Sequence, residues 1–168
     1  DAHAELGSAL LDAARIDESE AAFRKALDLN PNHAPARAFL SLILWERERY
    51  QEAIAQANMA LEQQPNNAIA WQTLGLTASK KYRQEEAIPA FEKALLSRPD
   101  LVLSHNYLGI CHNQLGHHEQ AMEQYEATLK LQPGNPHAHF NRALAWLAEG
   151  RFHDGWVDYE WRFRTGQT

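Results

Sequence analysis

The chain contains 168 residues, of which 45% are hydrophobic and 23% are charged, a balance typical of a globular protein with a buried core. Its formal net charge of −6 argues against nucleic acid as a partner, because binding phosphates requires a clustered basic surface. No run of the sequence approaches the roughly 18 unbroken apolar residues of a membrane-spanning helix, so we expect no membrane insertion.

The start of the chain and its cysteine content bear on where the protein works. The sequence opens at Asp1 with no Met, in what reads as the middle of a helix, and we expect it to be a fragment that lacks the native N-terminus. Cys111 is the single cysteine, so no disulfide forms within the chain and a reducing compartment is favoured. We therefore predict a cytoplasmic location.

Prolines recur along the chain at a fixed spacing. Pro31, Pro65, Pro99 and Pro133 lie 34 residues apart, and each closes a helical stretch. A repeat of this length predicts a row of helical hairpins, each with a first helix, A, and a second helix, B. The A helices are placed near 2–14, 34–47, 68–80, 102–114 and 136–148, and the B helices near 18–29, 51–63, 85–97, 119–131 and 152–163.

The connections between these helices carry residues that end and begin helices. Gly116 and Gly150 can adopt the left-handed conformation that closes a helix. Polar residues placed to cap the following A helix are Asn32, Asn66 or Asn67, Asp100 and Asn135. Both signals support the division into hairpins.

Aligned on the 34-residue period, the units share a pattern of small and bulky side chains. Position 1 is set at Ala34, Ala68, Val102 and Pro136, and the first unit lacks this position. Position 8 is small in every unit, with Gly7, Ser41, Gly75, Gly109 and Ala143. Position 20 is small as well, with Ser19, Ala53, Ala87, Ala121 and Gly155. Position 24 has Phe23, Ala57, Phe91, Tyr125 and Tyr159. Small residues opposite bulky ones predict close packing of helix A on helix B.

This pattern resembles the tetratricopeptide repeat family, whose repeat has the same period, over nearly the whole chain. The resemblance implies an all-α fold, a right-handed α-solenoid of about five helix-turn-helix units, in a single domain over residues 1–168. The units are 1–33, 34–67, 68–101, 102–135 and 136–168, and the last is atypical. Stacked A helices would line a concave groove, so we expect a protein-protein interaction scaffold that binds a peptide or protein segment, and not an enzyme.

The resemblance also implies which side chains face that groove, namely positions 2, 5, 6, 9, 12 and 13 of helix A. The candidate groove residues are Phe39, Leu42, Trp45, Gln72, Thr73, Leu76, Lys80, Asn106, Tyr107, Ile110, Asn113, His137, Phe140 and Asn141. We predict a mainly apolar ligand segment held by the aromatic members of this set, because buried aromatic side chains usually dominate binding energy. The alternative is that these rings pack within or between repeats.

Two other modes of ligand capture known in the family do not fit. A clamp for a C-terminal carboxylate needs several cations, and Lys80 is the only one among the candidates. An Asn at position 6 of successive units holds peptide backbones in O-GlcNAc transferases, but that position reads Glu5, Phe39, Thr73, Tyr107 and Asn141 here.

No set of residues indicates catalysis, a metal or a cofactor. No two of the nine histidines have the i, i+4 spacing of a helical metal pair. His3, His105 and His139 fall at position 4, where the third unit has Trp71, so we interpret them as packing residues. Cys111 is interpreted in the same way, and no phosphate loop or nucleophile elbow is present.

The last unit departs from the repeat. Arg142 replaces the usual Leu of helix A, and Arg162 replaces a small residue late in helix B. Trp156, Tyr159 and Phe163 form one stripe, expected to pack on the fifth A helix, which leaves Trp161 for contact with a further domain or chain. The other interpretation is that this segment simply caps the solenoid.

The segment from Gly150 to Arg164 is also similar to a Gly-Asp-Phe-x-x-Gly-Trp-x-x-Tyr-Glu-Trp-Arg sequence that closes repeat arrays in bacterial proteins. A glycosyltransferase-like domain often follows it. An alternative function is therefore the substrate-recognition region of a larger bacterial glycosyltransferase whose catalytic domain lies outside this chain. Self-association through the convex face or the repeat ends also remains open.

Overall fold

The computed structural model describes residues 2–164, which form ten α-helices, one short 3-10 helix and no β-strand. Asp1 and residues 165–168, the outer ends of the first and last predicted units, lie outside the described residues. The predicted all-α fold class is confirmed. The α-helices are α1 (Ala2–Asp12), α2 (Ile16–Leu29), α3 (Ala34–Glu46), α4 (Tyr50–Gln63), α5 (Ala68–Lys80), α6 (Gln84–Ser97), α7 (Val102–Gln114), α8 (His118–Leu131), α9 (Pro136–Ala148) and α10 (Phe152–Tyr159), and the 3-10 helix is η1 (Glu160–Arg164).

The helices pair in chain order and the pairs stack. Each odd-numbered helix packs most closely on the even-numbered helix that follows it, and each pair then contacts the next odd-numbered helix. The hydrophobic core continues through these joints, since Phe23 and Ala26 of α2 form one cluster with Leu40, Ile43 and Leu44 of α3. The result is a solenoid in which no single pair encloses a core of its own.

Close packing within each pair depends on position 8 of helix A. A Cβ atom placed on Gly109 would lie 2.6 Å from the Tyr125 ring, and one on Gly75 would lie 2.8 Å from the Phe91 ring. Ser41 replaces glycine in the second unit, where the residue at position 24 is only Ala57. The small and bulky positions therefore pack as the sequence predicts.

The turn between helices A and B uses one left-handed residue in every unit. Gly116 and Gly150 have φ of 77° and 78°, as predicted. Ala14, Glu48 and Tyr82 occupy the same position with φ of 57°, 60° and 57°, although side chains disfavour this conformation. The first A helix therefore ends at Asp12 and not at residue 14.

Capping of the A helices agrees with the sequence in two units. The Asn67 and Asn135 side chains accept hydrogen bonds from the Ala70 and Ala138 backbone N–H groups. The predictions of Asn32 and Asp100 are wrong by one residue, because the cap positions are His33 and Leu101. The His33 Nδ1 atom accepts from the Ala36 N–H, and Leu101 has no side chain able to do so.

The last B helix is shorter than predicted, since the α-helix ends at Tyr159 and continues as η1. Position 27, which Arg162 occupies, holds fully buried small residues in the other units, Ala26, Ala60, Ala94 and Thr128. An arginine does not fit that space. The changed winding leaves the Arg162 guanidinium at the surface, 4.5 Å above the Tyr159 ring.

Candidate functional site

The A helices form the inner face of the solenoid, and two cavities lie along it. The N-terminal cavity has a volume of about 230 Å³ and lies between α1 and α3. The C-terminal cavity, about 440 Å³, lies between α7 and α9 and is lined by Leu103, Asn106, Tyr107, Ile110, His137, Phe140 and Asn141. Six of these seven residues are among the candidate groove residues predicted from the sequence. The seventh, Leu103, has the same repeat position as His137, position 2.

The two cavities are separated because the middle of the inner face is filled. Trp45 of α3 and Tyr107 of α7 meet edge to face, with ring centroids 6.2 Å apart. They close over α5, whose Thr73 and Leu76 are fully buried. The predicted groove is therefore not continuous, and the prediction that Thr73 and Leu76 face a ligand is wrong, since their side chains belong to the core.

Three polar side chains beneath this closed segment are hydrogen-bonded within the protein, whereas the buried Trp45 indole N–H has no hydrogen-bond partner. The Ser41 Oγ atom lies 2.6 Å from the Ala38 carbonyl and 3.0 Å from the Thr73 Oγ1 atom, and the Thr73 hydroxyl donates to the Ile69 carbonyl at 3.0 Å. Gln72 is also buried, and its Oε1 atom accepts from the Ser104 hydroxyl at 2.8 Å. The contacts of Ser41 with Thr73 and of Ser104 with Gln72 join neighbouring A helices, so Gln72 contributes to the stacking of units.

The N-terminal cavity is built on a pair of rings. Phe23 of α2 and Phe39 of α3 stack with centroids 5.5 Å apart and planes 9° apart. The rest of the lining consists of Ala4, Glu5, Ser8, His33, Pro35 and Ala36. Phe39 is half-buried, so it contributes to the joint between units as well as to this surface.

The C-terminal cavity combines apolar walls with amide groups. The Asn141 Nδ2 atom donates to the Asn106 Oδ1 atom at 3.2 Å, which leaves the Asn141 Oδ1 atom, one side-chain N–H of Asn141 and both side-chain N–H groups of Asn106 for other partners. The Phe140 ring is held from behind by Tyr159, with centroids 5.6 Å apart. None of the seven lining side chains is an acid, a lysine or an arginine.

Three further candidates lie near the closed segment. Leu42 is half-buried between two core clusters, and Lys80 is exposed at the end of α5. The Asn113 Oδ1 atom lies 3.0 Å from the His118 Nδ1 atom. Burial raises the pKa of the Tyr107 hydroxyl, and the nearby Lys80 charge opposes that rise. Lys80 is therefore the one predicted groove residue that brings a charge to this face.

The position-4 side chains have a shared role that the sequence only partly revealed. In four successive units they bind the carbonyl of the proline six residues earlier: Arg37 to Pro31, Trp71 to Pro65, His105 to Pro99 and His139 to Pro133. The distances from N to O are 2.8–2.9 Å. The sequence carried a signal for this role, because each of these side chains follows a repeat proline by six residues. These histidines tie the start of helix A to the preceding turn.

The aromatic residues of the last unit are arranged differently from the prediction. The Trp161 ring stacks on His139, with centroids 4.1 Å apart, and so packs against the fifth A helix. Trp156 and Phe163 are exposed, and Tyr159 packs on Phe140. Positions 21 and 28, which Trp156 and Phe163 occupy, face the following unit elsewhere in the solenoid. The roles predicted for Trp161, Trp156 and Phe163 are thus reversed, whereas Tyr159 does pack on the fifth A helix.

A buried ion pair fixes this last unit to the solenoid. Asp158 is buried, and its carboxylate accepts a hydrogen bond from the Arg142 Nε atom at 2.7 Å. The His139 Nδ1 atom lies 3.1 Å from the same carboxylate. Arg142, which departs from the usual leucine, is therefore compensated by Asp158 on the partner helix.

Three further features concern metal ligation, membrane insertion and the cysteine in the residues that the structure describes. Residues 2–164 contain no group of three or more His, Cys, Asp or Glu side chains able to hold a metal ion. None of the described helices has the length and apolar character needed to cross a membrane. Cys111 is fully buried, and burial raises the pKa of its thiol.

The repeat is confirmed by comparison with known families. The model of the family described as Tetratricopeptide repeat matches residues 5–68, 73–136 and 114–154, most of the chain. The chain belongs to the tetratricopeptide repeat family. Its members are protein-interaction scaffolds, and this chain has the fold of such a scaffold.

Solved structures with the same fold include several bacterial proteins. The pilF protein of Pseudomonas aeruginosa is 24% identical with a TM-score of 0.78, covering 96% of this chain and 73% of that chain. MamA is 20% identical with a TM-score of 0.72, covering 96% and 94%. YrrB, described as a TPR protein with an unusual peptide-binding site, is 19% identical with a TM-score of 0.68, covering 95% and 82%. No curated protein matches the sequence.

Proposed function

We propose that this tetratricopeptide repeat chain is an interaction scaffold that holds a neutral, mainly apolar peptide segment in its C-terminal cavity. The observation that carries the proposal is the 440 Å³ cavity itself, which has apolar walls and no acidic, lysine or arginine side chain in its lining. YrrB, a structure with this fold, is described as having a peptide-binding site.

The lining divides the work of recognition between two kinds of side chain. Phe140, Leu103 and Ile110 offer apolar contact, and Leu103 is exposed enough for its burial by a ligand to be favourable. Asn141 and Asn106 offer amide groups that match a peptide backbone, which presents both donors and acceptors. Phe140 is the proposed anchor, because Tyr159 behind it holds the ring in place before binding.

The N-terminal cavity provides a second, smaller contact. Its Phe39 ring is already stacked on Phe23, and its volume is about half that of the C-terminal cavity. A ligand that reaches both cavities has to cross Trp45 and Tyr107, which stand between them. We therefore propose that Trp45, Tyr107 and Lys80 contact the middle of a long ligand, and that a short one occupies the C-terminal cavity alone.

Selection of peptides by the protein tests this proposal. A phage-displayed library of random 12-residue peptides is selected on the immobilised chain, and the enriched peptides are titrated by calorimetry. We expect neutral, apolar sequences, with affinity at least about tenfold weaker for Phe140→Ala, as for an aromatic hot spot. Leu96→Ala is the control, since Leu96 is exposed on α6 away from the cavity.

Two results would reject the assignment. One is enrichment of acidic or basic peptides that bind Phe140→Ala and the unchanged protein equally well. The other is the absence of any peptide whose affinity depends on Phe140. A loss of affinity in Asn141→Ala without change in Phe140→Ala would instead place recognition in the amide pair.

The second candidate function is substrate recognition within a larger bacterial glycosyltransferase. What supports it is the resemblance of the closing segment to sequences that precede such domains, carried by Gly155, Trp156, Tyr159, Trp161 and Arg162. Sugar-nucleotide hydrolysis or transfer by a protein that contains this chain would support it. The chain alone is proposed to have no catalytic residue, metal or cofactor.

We further propose that the five units act as one domain in the cytoplasm. Core clusters that run through the joints between units support a single domain. The single buried thiol, Cys111, suits a reducing compartment. A net charge of −6 supports a protein partner over nucleic acid.

A further inference from the structure

A separate cavity lies on the outer side of the solenoid, between the B helices α4 and α6. It has a volume of about 260 Å³, and we call it the outer pocket. Its lining includes Trp71, Leu74 and Ala78 of α5, at positions 4, 7 and 11, which lie on the side of that helix opposite the groove positions. Ile54 of α4 and Ala90 of α6 also line it. The outer pocket is therefore distinct from both cavities of the inner face.

The outer pocket is present because position 11 of the third unit has a small side chain. This position is Leu44 in unit 2, His112 in unit 4 and Trp146 in unit 5, but Ala78 in unit 3. Leu44 belongs to a core cluster, and the rings of His112 and Trp146 contact the position-16 side chains of their units. A large side chain thus fills, in the other units, the space that Ala78 leaves open.

A second difference in unit 3 adds to the same space. In units 2, 4 and 5 the side chains at positions 4 and 23 are hydrogen-bonded to each other at 2.8–3.1 Å, in the pairs Arg37 with Gln56, His105 with Gln124 and His139 with Asp158. In unit 3 these positions are Trp71 and Ala90, and alanine has no group to form such a bond. The resulting pocket is large enough for an aromatic ring, since an apolar cavity of about 150 Å³ accepts benzene.

Two lysines without a carboxylate partner lie beside this apolar space. Arg83 and Glu86 line the pocket too, but they neutralise each other, because the Arg83 Nε atom donates to the Glu86 carboxylate at 2.7 Å. Lys81, which also lines the pocket, forms no ion pair with the residues that the structure describes. The Lys93 Nζ atom lies 4.1 Å from the centroid of the Trp71 ring, and within residues 2–164 it has no carboxylate partner either. The outer pocket is thus locally positive on a chain whose net charge is −6.

We propose that the outer pocket is a second binding site, which takes one large apolar side chain from an acidic segment of a partner protein. The apolar side chain fills the space left by Ala78 and Ala90, and an Asp or Glu next to it in the segment pairs with Lys81 or Lys93. Because the outer pocket and the inner face lie on opposite sides of α5, this partner and a peptide in the C-terminal cavity bind at the same time.

Peptide selection with a depletion step tests the site. A phage-displayed library of random 12-residue peptides is first depleted on Ala78→Leu, in which the residue found in unit 2 fills the outer pocket, and is then selected on the unchanged chain. Peptides that bind the inner face bind both proteins and are removed. We expect the surviving peptides to have a large apolar residue next to Asp or Glu. Ala90→Gln, the residue found in units 2 and 4, replaces Ala78→Leu if circular dichroism shows that the first variant fails to fold.

Calorimetric titration of a surviving peptide separates the apolar contact from the charged one. Affinity should fall at least about tenfold in Ala90→Gln, as for a filled hot-spot pocket, and about threefold in the double variant Lys81→Gln, Lys93→Gln, with the second loss disappearing at about 1 M NaCl. Leu96→Ala, on α6 outside the pocket, should bind as the unchanged chain does. The proposal is overturned if no peptide survives the depletion, or if the surviving peptides lack acidic residues or bind the double variant unchanged. None of these outcomes bears on the C-terminal cavity, whose peptides are removed by the depletion.

Discussion

At the scale of single residues, the solenoid depends on the absence of a side chain at position 8 of helix A. In three units a glycine there lets a Phe or Tyr ring lie against the backbone of helix A. A helical glycine costs about 0.5–1 kcal/mol relative to alanine in intrinsic propensity, so its presence indicates that the close approach of the ring is worth more.

We expect Gly109→Ala to destabilise the protein by about 1–3 kcal/mol, because the added methyl group would lie 2.6 Å from the Tyr125 ring. Gly134→Ala is the matched control, since a Cβ there meets nothing within 4 Å, and its effect should stay within about 0.5 kcal/mol. Urea denaturation monitored by circular dichroism measures both. Equal losses in the two variants would show that the ring moves aside at no cost.

Cys111 gives a prediction about pH. Burial raises the pKa of its thiol, so the folded state holds the proton more tightly than the unfolded state does. The corresponding stability is present below the unfolded pKa of about 8.5 and is lost as pH rises towards the folded pKa. Denaturation at pH 8 and pH 10 should therefore show a smaller loss of stability for Cys111→Ala than for the unchanged chain. The nearby Cys111 adds to the effect of burial in raising the pKa of Tyr125, so its removal also lessens the contribution of this tyrosine, in the same direction. Identical losses would contradict the prediction.

At the scale of elements, the joint between α2 and α3 uses charge where the other joints use apolar contact. Glu20 is buried and paired with Arg24, Arg47 and Arg49, although units 2 and 3 have Ile54 and Ile88 at the same position. A buried ion pair contributes little net stability because both charges lose hydration, and an apolar residue of similar size often replaces it without loss.

We expect Glu20→Ile to change the free energy of unfolding by less than about 1 kcal/mol, and Glu20→Ala to lower it by about 1–3 kcal/mol. Both variants leave the same partly exposed arginines without their partner, but alanine also leaves a cavity that isoleucine fills. Chemical denaturation of the two variants measures the difference. A larger loss for isoleucine than for alanine would show that the joint depends on the carboxylate itself.

The sequence predicted these elements well where one residue decides the structure. Gly116 and Gly150 marked two of the turns, but Ala14, Glu48 and Tyr82 adopt the same conformation because the packed helices on either side impose it. The change from α-helix α10 to 3-10 helix η1 was not predicted either, because only the packed neighbours show that position 27 has no room for the Arg162 side chain. The sealed middle of the inner face likewise depends on contact between units that lie 62 residues apart in sequence, at Trp45 and Tyr107.

At the scale of the whole molecule, that contact is unusual for a solenoid. Repeat units normally interact only with their neighbours, yet Trp45 belongs to unit 2 and Tyr107 to unit 4. No Cα atoms of α3 and α7 lie within 8 Å of each other, so side chains make the contact. The stability of units 2–4 is therefore not a simple sum over adjacent pairs.

A double-mutant cycle of Trp45→Leu and Tyr107→Leu should give a coupling energy of about 0.5–1.5 kcal/mol, as for other aromatic pairs. The matched control is Trp45→Leu with Phe140→Leu, residues on α3 and α9, which have no contact and should be additive within about 0.5 kcal/mol. Thermal or urea denaturation of the single and double variants supplies the values. Additivity in both pairs would mean that the rings touch without stabilising each other.

The same pair of rings sets how the molecule responds to force. A row of hairpins joined only to their neighbours can lengthen like a spring, opening its inner edge by a small amount at every joint. Here Trp45 and Tyr107 fasten the inner edge across three units, so the central turn resists extension while the two ends remain compliant. A bound partner that pulls the two ends apart is therefore expected to deform the outer units before units 2–4.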